Sequence, residues 1–497
     1  MQNKKQKIII ASFIVAVFLV LMIVSIVLAT NSADKKITFH TNGTYDYQKQ
    51  GNKITILEYK SENQNQKIEI PSAIDGVKVV AIGDGAFINS IFNEVVFPET
   101  VTKIGVGIFK GQSLINKVIF KGVLDTIEAE AFANCYNLEY VELQNGLQKI
   151  NDRAFFNCSK LQNFVLPVSV NSIGQEAFAE CNELTNINLR EVTQVAEKAF
   201  YDCNRLETVK LNAKTTSIGA GAFENCAISS LNFEDLTILN SIGARAFYNA
   251  FSYTFKNVEG VSKIALNEGL TAIGDYAFAL LDVSIIQLPE SLTSLGIGCF
   301  AEVNDSYYSG SYLKQINIPS KITKLPDYTF FKCSSLTDFK LPNTVTELGK
   351  AVFVGCSNLK DIAFENSDKF KIFNENYLVE VATKRLNSFL TNSSSNITIK
   401  GNIGFDTICE DAFYYAQPTE IILEEGIKFV QKNAFRKCRV AKITFRDSAC
   451  VVEDDLSTVS VPIKDSVVPK LVIHAKLNSK VYVKFINDTR IKFEIIE

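Results

Sequence analysis

The 497 residues exceed what one compact core usually holds, so several domains or a repeat array are expected. The 51 basic and 54 acidic side chains leave a net charge of -3 with no basic stripe, which excludes a nucleic-acid surface of the usual electrostatic kind. A composition that is 47% hydrophobic with 10 Pro is that of an ordered protein, and 36 Phe against no Trp asks for a positional explanation.

The chain opens on Lys4, Lys5 and Lys7, followed by an apolar run from Ile8 to Ala29 that is long enough to cross a bilayer as one helix. Asp34, Lys35 and Lys36 follow it. The positive-inside rule then leaves the N-terminal tip in the cytoplasm and everything after Thr30 outside. This reading makes residues 1–33 a tip and signal-anchor helix, and it gives the protein a membrane partner. Secretion after cleavage near Ala29 is the alternative, since Val27-Leu28-Ala29 fits a processing site. In either case the bulk of the chain is exported.

Residues 34–80 read as an N-terminal β cap. Tyr45 and Tyr47, then Ile54 and Ile56, alternate with polar residues as a strand pair does. A repeat follows over 81–447, seen in Ile173-Gly-Gln-Glu-Ala-Phe178-Ala-Glu-Cys181-Asn-Glu-Leu184-Thr-Asn-Ile187-Asn-Leu189. Its Phe recurs at 87, 109, 132, 155, 178, 200, 223, 247, 278, 300, 330, 353, 413 and 435. Most intervals are 22–24 residues, within the range of leucine-rich repeats. Longer intervals mark insertions after Phe247 and Phe300, and a degenerate copy near 365–400. In L-x-x-I-x-L the last two apolar residues have strand spacing and face inward. Gly after the next Ile suits a tight bend, and Ala-Phe suits a short helical or 3₁₀ turn. Residues 448–497 read as a C-terminal β cap, with strands over Lys470–His474, Val481–Phe485 and Ile491–Ile495.

The phased combination A-F-x-x-C-x-x-L with L-P-x-x-V-x-x-I-G resembles the BspA-like, treponemal-type leucine-rich repeat family. The resemblance covers roughly residues 70–447. It implies an α/β repeat protein: a solenoid of about 14–15 repeats with a parallel sheet on one face, capped at both ends, and here preceded by one transmembrane helix. Members of that family are often implicated in adhesion, so it also implies a protein ligand on a host or neighbouring-cell surface.

Eight of the eleven cysteines lie three residues after the repeat Phe, as a ladder and not as paired ligands. Buried small side chains explain them; disulfides between adjacent rungs are conceivable for an exported chain. No zinc spacing occurs. The two histidines, His40 and His474, sit at opposite ends of the chain, so no Cys–His or Ser–His pair lies inside the array. No phosphate loop or dinucleotide fingerprint is present. No catalytic residue, cofactor or metal is therefore assigned.

Recognition has two candidate places. One is the outward face of the sheet, including Tyr140, Asn186, Thr208 and Lys210, unless that face is only solvated. The other is the pair of insertions carrying Tyr248, Phe251, Tyr253 and Phe255, and Tyr307, Tyr308 and Tyr312. These should leave one edge roughly 10 Å apart, at about 4.8 Å per coil. Aromatics spaced by Ser, Gly and Asn form adaptable contact surfaces, unless Phe251 and Phe255 pack over the core. The expected function is non-enzymatic surface recognition or adhesion; a structural or self-associating envelope protein is the alternative.

Overall fold

The structure, a computed structural model, describes residues 37–60, 67–162, 164–251, 262–303, 312–337, 339–359, 362–364, 368–374, 376–390, 395–401, 403–453, 455–461 and 470–497. It divides into two compact units, residues 1–158 and 159–497. The apolar run Ile8–Ala29 lies outside the described residues. Among those described, no helix is long and apolar enough to cross a membrane.

Each unit is a stack of coils built from two columns of parallel strands and one column of turns. In the first unit the longer strands Lys67–Glu69, Glu94–Phe97, Lys117–Phe120 and Tyr140–Glu142 pair in sequence order. In the second, Asn186–Leu189, Thr208–Leu211 and Ser230–Leu231 do the same. The shorter column includes Gln194–Val195, Ser217–Ile218, Ser241–Ile242, Ala272–Ile273 and Ser294–Leu295. Inward residues such as Ile187, Leu189, Val209 and Ile218 are buried, while Asn186, Asn188, Thr208 and Lys210 between them are exposed. Alternation along a pleated strand produces this split.

The turn column carries the Phe ladder. Phe178, Phe200, Phe223, Phe247 and Phe278 are fully buried, with successive ring centroids 5.5, 5.4, 5.5 and 5.4 Å apart. Phe87, Phe109, Phe132 and Phe155 stack likewise in the first unit. These turns are not helical, which corrects the expected helical or 3₁₀ turn and, with it, the α/β class: each unit is mostly sheet. Around Phe200, the N–H groups of Lys198, Phe200 and Asp202 donate to Ala220, Ala222 and Glu224 of the next coil. Tyr201 and Cys203 between them donate back to Lys198 and Phe200. Lys198 and Asp202 adopt positive φ, 52° and 56°. Alternate N–H groups thus aim at the neighbouring coil, and a helix would turn all of them inward.

The glycine after the short strand has a different reason from the bend first assigned to it. Gly243 and Gly274 do not have positive φ. A Cβ there would lie 2.6 and 2.4 Å from the backbone nitrogens of Ala220 and Ala244 in the preceding coil. They allow close approach of coils.

The cysteine ladder also has a specific job. Cys203 Sγ donates to Phe178 O at 3.1 Å, Cys135 to Phe109 O at 3.1 Å, and Cys356 to Phe330 O at 3.0 Å. Where Gln112 replaces Cys at this step, its Nε2 donates to Phe87 O at 3.4 Å. The position supplies a donor to the Phe carbonyl of the previous coil. No disulfide joins the described cysteines, and all of them but Cys409 are buried. Burial pushes the Cys135 thiol up to about 12 and that of Cys203 well above its ordinary value.

The ladder is longer than the phased Phe positions show. Tyr59 donates its N–H to Ala86 O and sits 6.0 Å from Phe87, so the cap contributes the first ring. Phe389 donates to Ala412 O and stacks 5.0 Å from Phe413. The degenerate copy is a coil interrupted by an antiparallel meander, Phe370–Phe373, Tyr377–Glu380 and Arg385–Phe389, whose last strand rejoins the short column.

The first cap is a sheet of Ile37–Thr41, Tyr45–Gln50, Lys53–Tyr59, Val77–Ile82 and Ala73–Ile74. At the other end, Leu471–Lys476 and Ile491–Ile496 extend the long column. Lys480–Phe485 between them is a helix, correcting the expected strand over Val481–Phe485. Ser479 caps it by accepting from Tyr482 N at 3.1 Å, and Val481 and Phe485, one turn apart, share the buried face. Lys484 Nζ donates to Val452 O and Glu453 O, at 2.6 and 2.9 Å, and so satisfies carbonyls where the short column ends.

Two outcomes follow from this packing. At pH 8 a thiol reagent labels none of the buried cysteines of the native protein, and labels them all after guanidinium unfolding; native-state labelling of Cys203 would contradict the assigned burial. Phe200→Ala costs about 3–5 kcal/mol in denaturant unfolding followed by circular dichroism, whereas Tyr201→Ala, one residue on and pointing outward, costs under about 1 kcal/mol.

Candidate recognition surface

The predicted aromatic residues do not form one described patch. Tyr248 is half-buried on the turn edge, with the Arg245 guanidinium 3.7 Å over its ring. Arg245 in turn grips buried Glu224, with Nε 3.0 Å from each carboxylate oxygen. Phe251 is corrected as a surface residue: it is 5% exposed and stacks 5.5 Å from Phe247 in the core. Tyr312 is 53% exposed. Tyr253, Phe255, Tyr307 and Tyr308 lie outside the described residues.

A denser cluster forms where the meander interrupts the array. Four residues that directly follow a ladder Phe meet there: Ala301, Phe331 and Val354, all buried, and Tyr414, half-buried. Phe331 and Tyr414 rings are 5.1 Å apart although Phe353 and Phe389 separate their coils in the ladder. Tyr328, Tyr414 and Tyr415 pack partly buried against Ala301, Phe331, Ala351 and Val354. The small side chain of Ala351 leaves the rings room to close over it.

Charge locks this cluster. Asp411 is 1% exposed and accepts two bonds from Arg436, Nε at 2.7 Å and Nη2 at 2.6 Å, and a third from the Tyr328 hydroxyl. Bidentate pairing of a planar guanidinium with a carboxylate fixes both groups in orientation. Arg436 also lies 4.3 Å over the Tyr414 ring, and Lys332 lies 4.2 Å over Tyr415. Lys437 Nζ donates to the Tyr415 hydroxyl at 2.8 Å. Burial, then the bond to Asp411, pushes the Tyr328 hydroxyl pKa well up, and the bond to Asp411 holds Arg436 still more firmly protonated. The motif reading missed these residues. Their signal was present as Tyr328-Thr-Phe330-Phe331 and Phe413-Tyr414-Tyr415, each with two bulky aromatics flanking or following the ladder Phe.

The same interruption opens a cleft of about 350 Å³ on the short-strand side. Lys324–Leu325 pairs with Glu347–Leu348, and Arg385–Leu386 pairs with Thr407–Ile408, but among the described residues no bridge joins Leu348 to Leu386. Side chains span the gap instead: Asn387 Nδ2 donates to Gly349 O at 3.0 Å and Lys350 meets Glu410 at 2.8 Å. On the floor Arg385 donates to Cys409 Sγ and to Gln431, which also accepts from Glu410 N. Burial raises the Cys409 thiol, with Arg385 opposing. A protonated thiol with neither histidine nearby in the chain is a poor nucleophile. The polar groups of the floor satisfy one another across a seam. No group of three or more His, Cys, Asp or Glu is placed to hold a metal among the described residues.

A family model described as a BspA type leucine-rich repeat region matches this chain in six copies, over residues 80–204, 125–254, 251–306, 302–383 and 383–456. No curated protein matches. Among solved structures, a leucine-rich cell surface protein of Faecalibacterium prausnitzii is 20% identical with a TM-score of 0.40, over 87% of this chain and 97% of that one. A leucine-rich repeat protein of Bacteroides ovatus is 20% identical with a TM-score of 0.47, over 93% and 99%. The pneumococcal vaccine antigen PcpA is 16% identical with a TM-score of 0.35, over 87% and 100%. At these scores the likenesses carry no argument. The family model, by contrast, spans well over half the chain in register with the coils, and the chain belongs to the BspA type leucine-rich repeat family.

Proposed function

We propose that this chain is a non-enzymatic recognition protein displayed outside a membrane, tethered by Ile8–Ala29, and that its principal contact for a protein ligand is the cluster of Tyr414, Tyr415, Arg436 and Lys437. The insert aromatics Tyr248, Tyr253, Phe255, Tyr307, Tyr308 and Tyr312 supply a second contact. The observation that carries the reading is the locked Tyr/Arg cluster, half-buried on the turn edge and held by buried Asp411. Tyr and Arg dominate binding hot spots. Side chains already fixed in the free protein lose little entropy on binding, so more of their contact energy appears as affinity. Membership of a repeat family that presents extended surfaces agrees with this role.

The test is attachment of beads coated with the full chain to cell layers. Tyr414→Ala with Tyr415→Ala lowers the affinity by about thirtyfold, the equivalent of roughly 2 kcal/mol for one lost hot spot. Attachment equal to the unsubstituted chain, at unchanged circular dichroism, rejects the cluster as the contact. Asp411→Asn leaves the tyrosines in place but frees Arg436, and lowers unfolding stability by about 2–3 kcal/mol, the lower end because Arg436 is partly exposed. Fractionation decides the tether: mature chains keep residues 1–29 and stay with the membrane, and recovery of a soluble form beginning after Ala29 excludes an anchor.

A further inference from the structure

The layer formed by Leu471–Lys476 and Ile491–Ile496 has two features in need of a partner. The strand Ile491–Ile496 pairs on one side with Leu471–Lys476, and among the described residues nothing pairs with its other side. The same layer exposes apolar side chains: Leu477 at 55%, Val483 at 70% and Ile495 at 57%. An unpaired strand edge presents a row of N–H and C=O groups that templates another strand.

The strand itself indicates what fits. Register with Leu471–Lys476 places Ile491, Phe493 and Ile495 on one face beside buried Leu471, Ile473 and Ala475, with Ile491 buried, Phe493 half-buried and Ile495 exposed. Lys492 and Glu494 lie on the opposite face, where Glu494 meets His474 and, at 2.7 Å, Lys492. Laid antiparallel on a second copy about Phe493, Ile491 faces Ile495 of the second copy and Phe493 faces its own counterpart. Lys492 then faces Glu494 in both directions. Every cross-strand pair is apolar on apolar or opposite in charge, the pairings that stabilise antiparallel neighbours. A two-fold axis generates this self-matching from one sequence.

We propose that two copies of this chain associate end to end through antiparallel pairing of Ile491–Ile496, continuing the long-strand sheet of each copy into the other. The dimer buries Ile495 and directs two recognition surfaces outward from one junction. This association is independent of the ligand contact proposed above, since neither Tyr414 nor Tyr415 takes part in it.

The test uses full-length chain in detergent. Phe493→Cys is the direct probe, because the native cysteines other than Cys409 are buried. Under mild oxidation it runs as a disulfide-linked dimer on non-reducing gels, and the parent chain does not. Light scattering supplies the second arm. Lys492→Glu sets like charges opposite each other twice per junction and weakens dimerisation about tenfold. Adding Glu494→Lys restores the opposite pairs and returns the dissociation constant to near its starting value. A Phe493→Cys chain that stays monomeric on oxidation overturns the proposal, as does a Lys492→Glu chain that dimerises unchanged. Open-ended polymers in place of a closed dimer in light scattering would also overturn it, since a head-to-tail contact would then replace the two-fold junction.

Discussion

The structure depends on hydrogen bonds that leave each coil for the next. At the regular ladder turns of each unit, alternate N–H groups donate across the coil boundary, as Lys198, Phe200 and Asp202 do. A coil alone leaves these donors and its aromatic ring in water, so a single copy cannot be stable and neighbours must complete it. The other features of the repeat follow from that spacing. Left-handed residues on both sides of the Phe aim the alternating donors. Gly243 and Gly274 let backbones approach more closely than a Cβ permits. Ring stacking at 4.9–6.1 Å along the regular coils fills the interior at the same step, as between Phe132 and Phe155, Phe178 and Phe200, or Phe278 and Phe300. The cysteine thiol adds a donor to a Phe carbonyl that already accepts one bond within its own turn.

Regularity leaves little chemistry on the surface, and the irregular coil supplies it. The meander at Phe370–Phe389 parts the short-strand ladder, and the two sides of the break then differ. On the short-strand side, ion pairs and amides span a polar cleft. On the turn edge, rings from coils that are not neighbours in the ladder meet and are locked by a carboxylate with three bonds. A buried acid is stable there only because Arg436 and Tyr328 satisfy it together.

The two columns end differently in the last layer. Lys484 reaches from a short helix to the final carbonyls of the short column. In the long column, the strand Ile491–Ile496 has an edge that is unpaired among the described residues, and it alternates apolar and charged residues in a self-complementary order. Joining two copies there would raise avidity for a surface-bound ligand without adding any contact to it.

The sequence by itself determined the repeat, its period and its inward residues, because stacking forces the same side chain to the same place in every coil and the pattern is therefore written many times. It offered packing as the reason for the cysteine ladder and left disulfides between rungs open; the structure places the thiols against Phe carbonyls. What it left open depends on neighbours that no local pattern encodes. Ala-Phe suits a helical turn until its N–H groups are claimed by the next coil. Val481–Phe485 reads as a strand until Ser479 caps it and the array offers a surface for Val481 and Phe485. Phe251 reads as a loop aromatic until Phe247 and Phe233 enclose it. Tyr328 and Asp411, 83 residues apart, meet where a meander interrupts one of the coils between them. Tertiary structure decided the candidate surface for that reason: it rests on contacts across the break in the repeat, where periodicity carries no information.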